Sequence, residues 1–260
     1  MPQHKDAIPH TIEHNISGAR YFLNGFSLIM TKGIRRFVFI PFIINFLLFA
    51  GAFYFLIDYI QFGVTYIIDL IPDFLGWLKD GLSYVLWPIA VITVLLVFAL
   101  IFGTLANWIA APFNGLLSEK MEHYLRNVPM NDDGFIDVVK DIPRTLKREL
   151  AKVLYFIPRA LVFVLVFFLL PVIGQVLWFL FGAWMMAIQY CDYPFDNHKI
   201  GFTPMRLKLR EHLGKSMSFG VMVNLFALIP IVNFIVMPVA ICGATQMWVD
   251  RLRAETLSDN

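Results

Sequence analysis

Four stretches of the chain contain no Asp, Glu, Lys or Arg: Phe37 to Ile57, Gly81 to Ser118, Ala160 to Cys191 and Ser216 to Val249. Long apolar blocks of this kind, rather than narrow stripes or strict alternation, are the mark of segments with no aqueous face. The first block has 21 residues, enough for the roughly 20 that a ~30 Å hydrocarbon layer takes, and Leu82 to Ala111 is longer still. Both predict spanning helices. The other two blocks are interrupted at "LLPVIG" (169–174) and "LIPIVN" (228–233), which leaves arms of about 11 to 17 residues, short of a full crossing. A turn emerging into water would carry charge, whereas these offer Pro, Gly, Asn and branched aliphatics. Irregular backbone at membrane depth is tolerated only where protein or trapped water satisfies it. The pattern therefore predicts two re-entrant helical hairpins with tips buried in an assembly, against a competing arrangement of four short tilted spans.

Between the blocks, apolar residues return with helical spacing. Ile12, Ile16, Ala19, Phe22, Leu23, Phe26, Ile29 and Met30 lie opposite Glu13, Asn15, Arg20 and Asn24, predicting an interfacial amphipathic helix over 10–30. Met205, Leu209 and Leu213 repeat the pattern in 204–215. Residues 113–152 read as an amphipathic helix, a loop at "PMNDDG" (129–134) and a basic helix through "PRTLKRELAK". The fold class is an all-α integral membrane protein: two long transmembrane helices, two re-entrant hairpins and interfacial amphipathic helices. It forms a single membrane domain over 1–260, with a cytoplasmic helical extension over about 113–158. The interrupted blocks also resemble each other, each tip being followed by a Gly, a Gln and an Asp (Gly182, Gln189, Asp192; Gly243, Gln246, Asp250), a pattern compatible with duplicated half-helix elements or with two similar packing hairpins.

Composition agrees, with 58% hydrophobic and 15% charged residues and a mean hydropathy of +0.68. A net charge of +2 argues against a nucleic-acid partner, whose phosphates would have to be neutralised. Of 21 Lys and Arg residues, five fall in 1–36, seven in 113–152 and five in 192–218, while only Lys79 lies between the first two blocks. The positive-inside bias then places both termini in the cytoplasm and makes 58–80, with Asp58, Asp69, Asp73 and Asp80, an outside loop. Residues 1–17 are polar with no short apolar core after them, so no removable leader is expected.

Catalysis has no candidate: neither a phosphate-cradling loop nor an H-E-x-x-H motif occurs, and no nucleophile or acid–base pair can be assembled. An enzyme and a cofactor are not expected. "CDYPFDNH" (191–198) gathers Cys191, Asp192, Asp196 and His198, but the spacing fits no standard metal site and Pro194 predicts a turn there. Polar residues within or beside the apolar blocks are a better lead, since groups at such depth face the bundle interior or a wet cavity. Asn45, Asn114, Glu119 and Asn233 form a possible polar path, with interhelical hydrogen bonding as the other explanation. At the head of the first block, "KGIRRFVFIPFIIN" sets Gly33 and the paired guanidinium groups of Arg35 and Arg36 at a helix start. Free amides and the positive dipole end there suit a tetrahedral oxyanion. By spacing alone, the stronger reading of these cations is as the anchors that ordinarily flank a span.

"KGIRRFVFIPFIIN", "APFNGLLSEKME", "QYCDYPFDNH" and "LIPIVNFIVMPVAICGATQMWVDR" resemble the corresponding blocks of CysZ, a family of bacterial inner-membrane sulfate permeases that feed cysteine biosynthesis. The resemblance implies sulfate as the partner ion and a binding motif at Gly33, Ile34, Arg35 and Arg36. It also implies two true spans with two partly inserted hairpins, and assembly as dimers or larger oligomers in the inner membrane. Bringing a dianion in against an inside-negative potential costs roughly 4.6 kcal/mol per 100 mV, an outside excess of roughly 2000-fold at equilibrium. Channel-like and ion-coupled uptake both remain open on this reading. The alternative from another class is a non-transporting membrane scaffold whose hairpins shape the bilayer.

Overall fold

The computed structural model describes residues 16–70, 72, 76–129 and 135–258; within some helical stretches, including 99–112 and the position of Asn45, only the backbone is described. The chain is α-helical, with no strand among the described residues. Two compact units divide it, one made of residues up to Val38 together with Pro112 onward, the other of Phe39–Ala111.

The smaller unit consists of parts of two long helices. Helix α2 runs over Arg35–Asp69, 35 residues, well beyond the roughly 20 of a crossing. Helix α3 runs over Gly76–Leu125. The stretch expected as an outside loop, 58–80, is therefore mostly helix, and only 70–75 separates α2 from α3. Asp58 and Asp69 fall too far apart to break an otherwise apolar run, so the helix continues through them. Phe49 and Phe53 of α2 meet Phe98 of α3 with ring centroids 5.4 and 6.3 Å apart.

The larger unit holds two hairpins. The first joins α4 (Phe135–Leu169) to α5 (Ile173–Asn197) through a reversal at Leu170–Val172. The second joins α7 (Leu213–Ala227) to α8 (Pro230–Met247), with Pro230 at the first turn of α8, where a missing N–H costs nothing. Short α6 (Phe202–Glu211) leads into α7, and α9 (Arg253–Ser258) ends the chain. Both interruptions read from the sequence are thus hairpin tips. Phe168 and Ile231, beside them, are 76% and 83% exposed. Among the described residues, four helical stretches are long and apolar enough to cross a membrane: Phe46–Tyr66, Pro143–Leu169, Ile173–Asn197 and Pro230–Ser258. The last three reach that length because their helices continue past the uncharged arms into polar turns.

Helix α1 (Gly18–Leu28) is capped by the Ser17 hydroxyl, which accepts from the Arg20 amide at 3.3 Å. Residues 10–15 of the expected interfacial helix lie outside the described residues. The apolar face of α1 is not left to lipid. Tyr21, Phe22, Gly25 and Leu28 are buried, and the Phe22 ring meets Phe219 and Phe226 of α7 edge-on at 6.2 and 5.2 Å. On the other side, Gly25 lies against the Val239 carbonyl and Gly243 against the Tyr21 carbonyl, so close that a Cβ at either position would collide with backbone. Small residues of this kind let helices approach where lipid removes the hydrophobic drive. Gly243→Val is expected to cost about 1–3 kcal/mol by overpacking, seen as a lower unfolding midpoint in detergent; an unchanged midpoint would refute the α1–α8 contact.

Candidate anion site and two polar clasps

The candidate anion motif, Gly33 to Arg36, lies on a tight turn between α1 and α2. The Ile34 and Arg35 amides both donate to the Thr31 carbonyl, at 3.0 and 3.2 Å, and the Phe37 amide donates to Ile34 at 2.9 Å. Gly33 takes φ +97°, with open space where a Cβ would stand; an L-residue rarely adopts that conformation. Ile34 is fully buried in the core with Ile29 and Phe22. It pins the turn from beneath while Lys32, Arg35 and Arg36 stay exposed above it. The Arg36 guanidinium rests 4.8 Å over the Phe37 ring, and among the described residues neither Arg35 nor Arg36 has a carboxylate partner. The turn consumes the amides of Ile34, Arg35 and Phe37, so the donors on offer are chiefly the two guanidinium groups, at the positive end of α2.

The polar-path residues are not gathered in one place. Asn114 is buried on α3, its side-chain amide donating to Tyr193 Oη and lying 3.3 Å from Met237 Sδ. Glu119, on the same helix, is 31% exposed and has Lys120 Nζ at 3.7 Å. Asn233 is exposed beside the second tip, and the side chain of Asn45 lies outside the described residues.

Two buried ionic clusters were not expected from the sequence. Arg144, Arg148 and Lys152 recur every four residues on α4 and so share one face; Asp192 and Asp196 do the same on α5. Arg148 Nη2 lies 2.7 Å from Asp192 Oδ1, Lys152 Nζ lies 3.2 Å from Asp192 Oδ2, and Arg144 Nη1 lies 2.6 Å from Asp196 Oδ1. The clasp joins the hairpin at the end away from its tip. "CDYPFDNH" is therefore not a turn. α5 continues through Pro194 to Asn197, because burial of this face against α4 outweighs one lost backbone bond. The i, i+4 spacing of both sets was the available signal.

The second cluster centres on Glu122 of α3, 3% exposed. His198 Nε2 lies 2.9 and 3.0 Å from its two oxygens, Trp248 Nε1 donates at 3.1 Å and Arg253 Nε at 3.0 Å. Trp248 and Arg253 reach one carboxylate because a π-helical turn, Trp248–Leu252, separates α8 from α9. Its i→i+5 bonding brings residues five apart onto one side, whereas an α-helix would splay them. Burial pushes the Glu122 carboxyl upward, but the hydrogen bond and charge of His198 and those of Arg253 outweigh it, holding it below the ordinary carboxylate value. Nearby, the Ser118 and Thr245 hydroxyls share a buried hydrogen bond of 2.9 Å.

A helical chain with two packed hairpins and four stretches long and apolar enough to cross a membrane belongs among integral membrane proteins. Residues 21–238 match the family described as Sulfate transporter CysZ/Etoposide-induced protein 2.4, and the chain belongs to that family. It is 51% identical to the protein named "Sulfate transporter CysZ" of Pectobacterium atrosepticum, over 96% of this chain and 90% of that one. It is also 51% identical to the protein of the same name from Salmonella typhimurium, over 92% of this chain and 94% of that one.

Proposed function

We propose that the chain takes up sulfate across the bacterial inner membrane, supplying it for cysteine biosynthesis, and holds the ion at Gly33, Ile34, Arg35 and Arg36. The observation that carries this reading is the pair of guanidinium groups on a glycine turn, without carboxylate partners among the described residues, in a chain whose relatives bear the name of a sulfate transporter. Two adjacent fork-shaped donors match the paired oxygens of a tetrahedral dianion. The whole chain, 1–260, acts as one membrane domain with both termini and the helical part about 113–158 in the cytoplasm, and copies associate as dimers or larger homo-oligomers.

The deciding measurement is radiolabelled sulfate entry into vesicles that contain only this protein. Uncoupled, channel-like passage follows the imposed potential, with accumulation changing roughly 2000-fold per 100 mV at equilibrium; ion-coupled uptake follows a proton or sodium gradient instead. Vesicles as tight as protein-free ones would overturn the proposal.

The hairpins are re-entrant. Supporting this, α7 has only 15 residues, short of the roughly 20 of a crossing, and both tips carry exposed apolar side chains. Cysteines at Ile173 and Val232 are expected to resist an impermeant thiol reagent applied from outside; free labelling there means four crossings.

A further inference from the structure

Between the first hairpin and the bend from α6 into α7 lies a groove of about 560 Å³, apart from the anion turn. Its size falls within the ~300–1,000 Å³ typical of small-molecule sites. Phe163, Leu177 and Leu180 make an apolar trough, while Arg159 and Arg210 line the groove as its cations. Arg159 stacks 3.7 Å over the Tyr155 ring and donates to the Tyr155 carbonyl at 2.8 Å. Arg206 covers the same ring at 4.5 Å, and its Nε is buried without a hydrogen-bond partner.

Among the described residues none of these three arginines has a carboxylate partner. Yet Glu149, Asp192, Asp196, Glu211 and Glu255 are all taken by other cations. Three cations are thus gathered beside an apolar trough with their charge uncompensated. Arg159 is also the last charge before the uncharged run Ala160 to Cys191, so the groove starts where headgroups end. Trp184, which donates to Tyr155 Oη at 3.2 Å, makes with it the aromatic pair favoured at that level.

We propose that this groove binds one anionic glycerophospholipid, its phosphate on Arg159 and Arg210 and an acyl chain along Phe163, Leu177 and Leu180. Free phosphate would answer the arginines but leave the trough bare, and a choline headgroup would bring a cation against them.

The test reconstitutes the full chain in phosphatidylcholine vesicles doped with brominated phosphatidylglycerol or with brominated phosphatidylcholine. Trp184 emission is isolated as the difference between the chain and Trp184→Phe. Phosphatidylglycerol is expected to quench at a mole fraction roughly 10- to 30-fold lower, and Arg159→Gln with Arg210→Gln to erase that preference. Both arginines are exposed, so the variant folds, as its unchanged unfolding midpoint will show. Equal quenching by the two lipids, or a preference that survives loss of both arginines, overturns the assignment. So does abolition of the preference by sodium phosphate but not by sodium chloride of equal ionic strength, which would mean a free anion. A disulfide between two copies carrying Leu180→Cys would place a second chain in the groove and overturn it as well.

Discussion

Sulfate affinity is expected to fall at least about 100-fold when Arg35 and Arg36 are both replaced by Ala, with no loss of folded protein. Each charge-assisted bond to an anion contributes about 1.5–3 kcal/mol, and the lower end applies at an exposed turn where water and salt screen the charges. Two such bonds still amount to about 3 kcal/mol, or roughly two decades. Stability is spared because the two side chains are exposed and, among the described residues, hold no carboxylate; surface changes of this kind stay within about 0.5 kcal/mol. The turn itself rests on Ile34 and the Thr31 carbonyl, which the variant keeps. Titration calorimetry with sulfate and a melt in detergent read the two halves separately. Affinity within threefold of the parent would move the site elsewhere.

Glu122→Ala is expected to cost about 1–3 kcal/mol of stability, because it leaves the buried Trp248 Nε1 with nothing to accept from it and removes the carboxylate that the partly exposed Arg253 and His198 share. Glu122→Gln keeps one acceptor and loses less. The pH dependence follows from the depressed carboxyl. A carboxylate whose pKa is lowered by folding contributes stability that is fully present above the unfolded value of about 4.3. That stability is lost as pH falls through the lower folded value. The gap between parent and Glu122→Gln should therefore be full at neutral pH and narrow only on acidification below about 4.3. A gap that is constant into that acid range, or absent at neutral pH, would mean the carboxylate does not anchor α3 to α5, α8 and α9.

The two clusters differ in how far they could be read in advance. Arg144, Arg148 and Lys152 sit four apart, as do Asp192 and Asp196, and that spacing aligns each set on its own helix. It does not say that the two faces meet, and the proline at 194 suggested a turn instead. Glu122 gave less still. Its partners lie 76, 126 and 131 residues further along, and one of them reaches it only through a π-helical turn, which local composition does not signal. The packing of α1 is legible only in part, for a related reason. Its amphipathic stripe is plain in the sequence, but a stripe shows only that something apolar covers it, not that Gly243 and Phe219 pack there.

Local chemistry by itself determined where helices can form and reverse. Uncharged blocks with Pro171 and Pro230 at their interruptions mark the hairpin tips, and Gly33 beside Arg35 and Arg36 marks a cationic turn, since backbone freedom and charge are properties of adjacent residues. Only the tertiary structure decided what the polar groups between those blocks hold. A buried charge is stabilised by whichever opposite charge packing brings within about 3 Å, and residues far apart along the chain become neighbours only once the helices have chosen their faces.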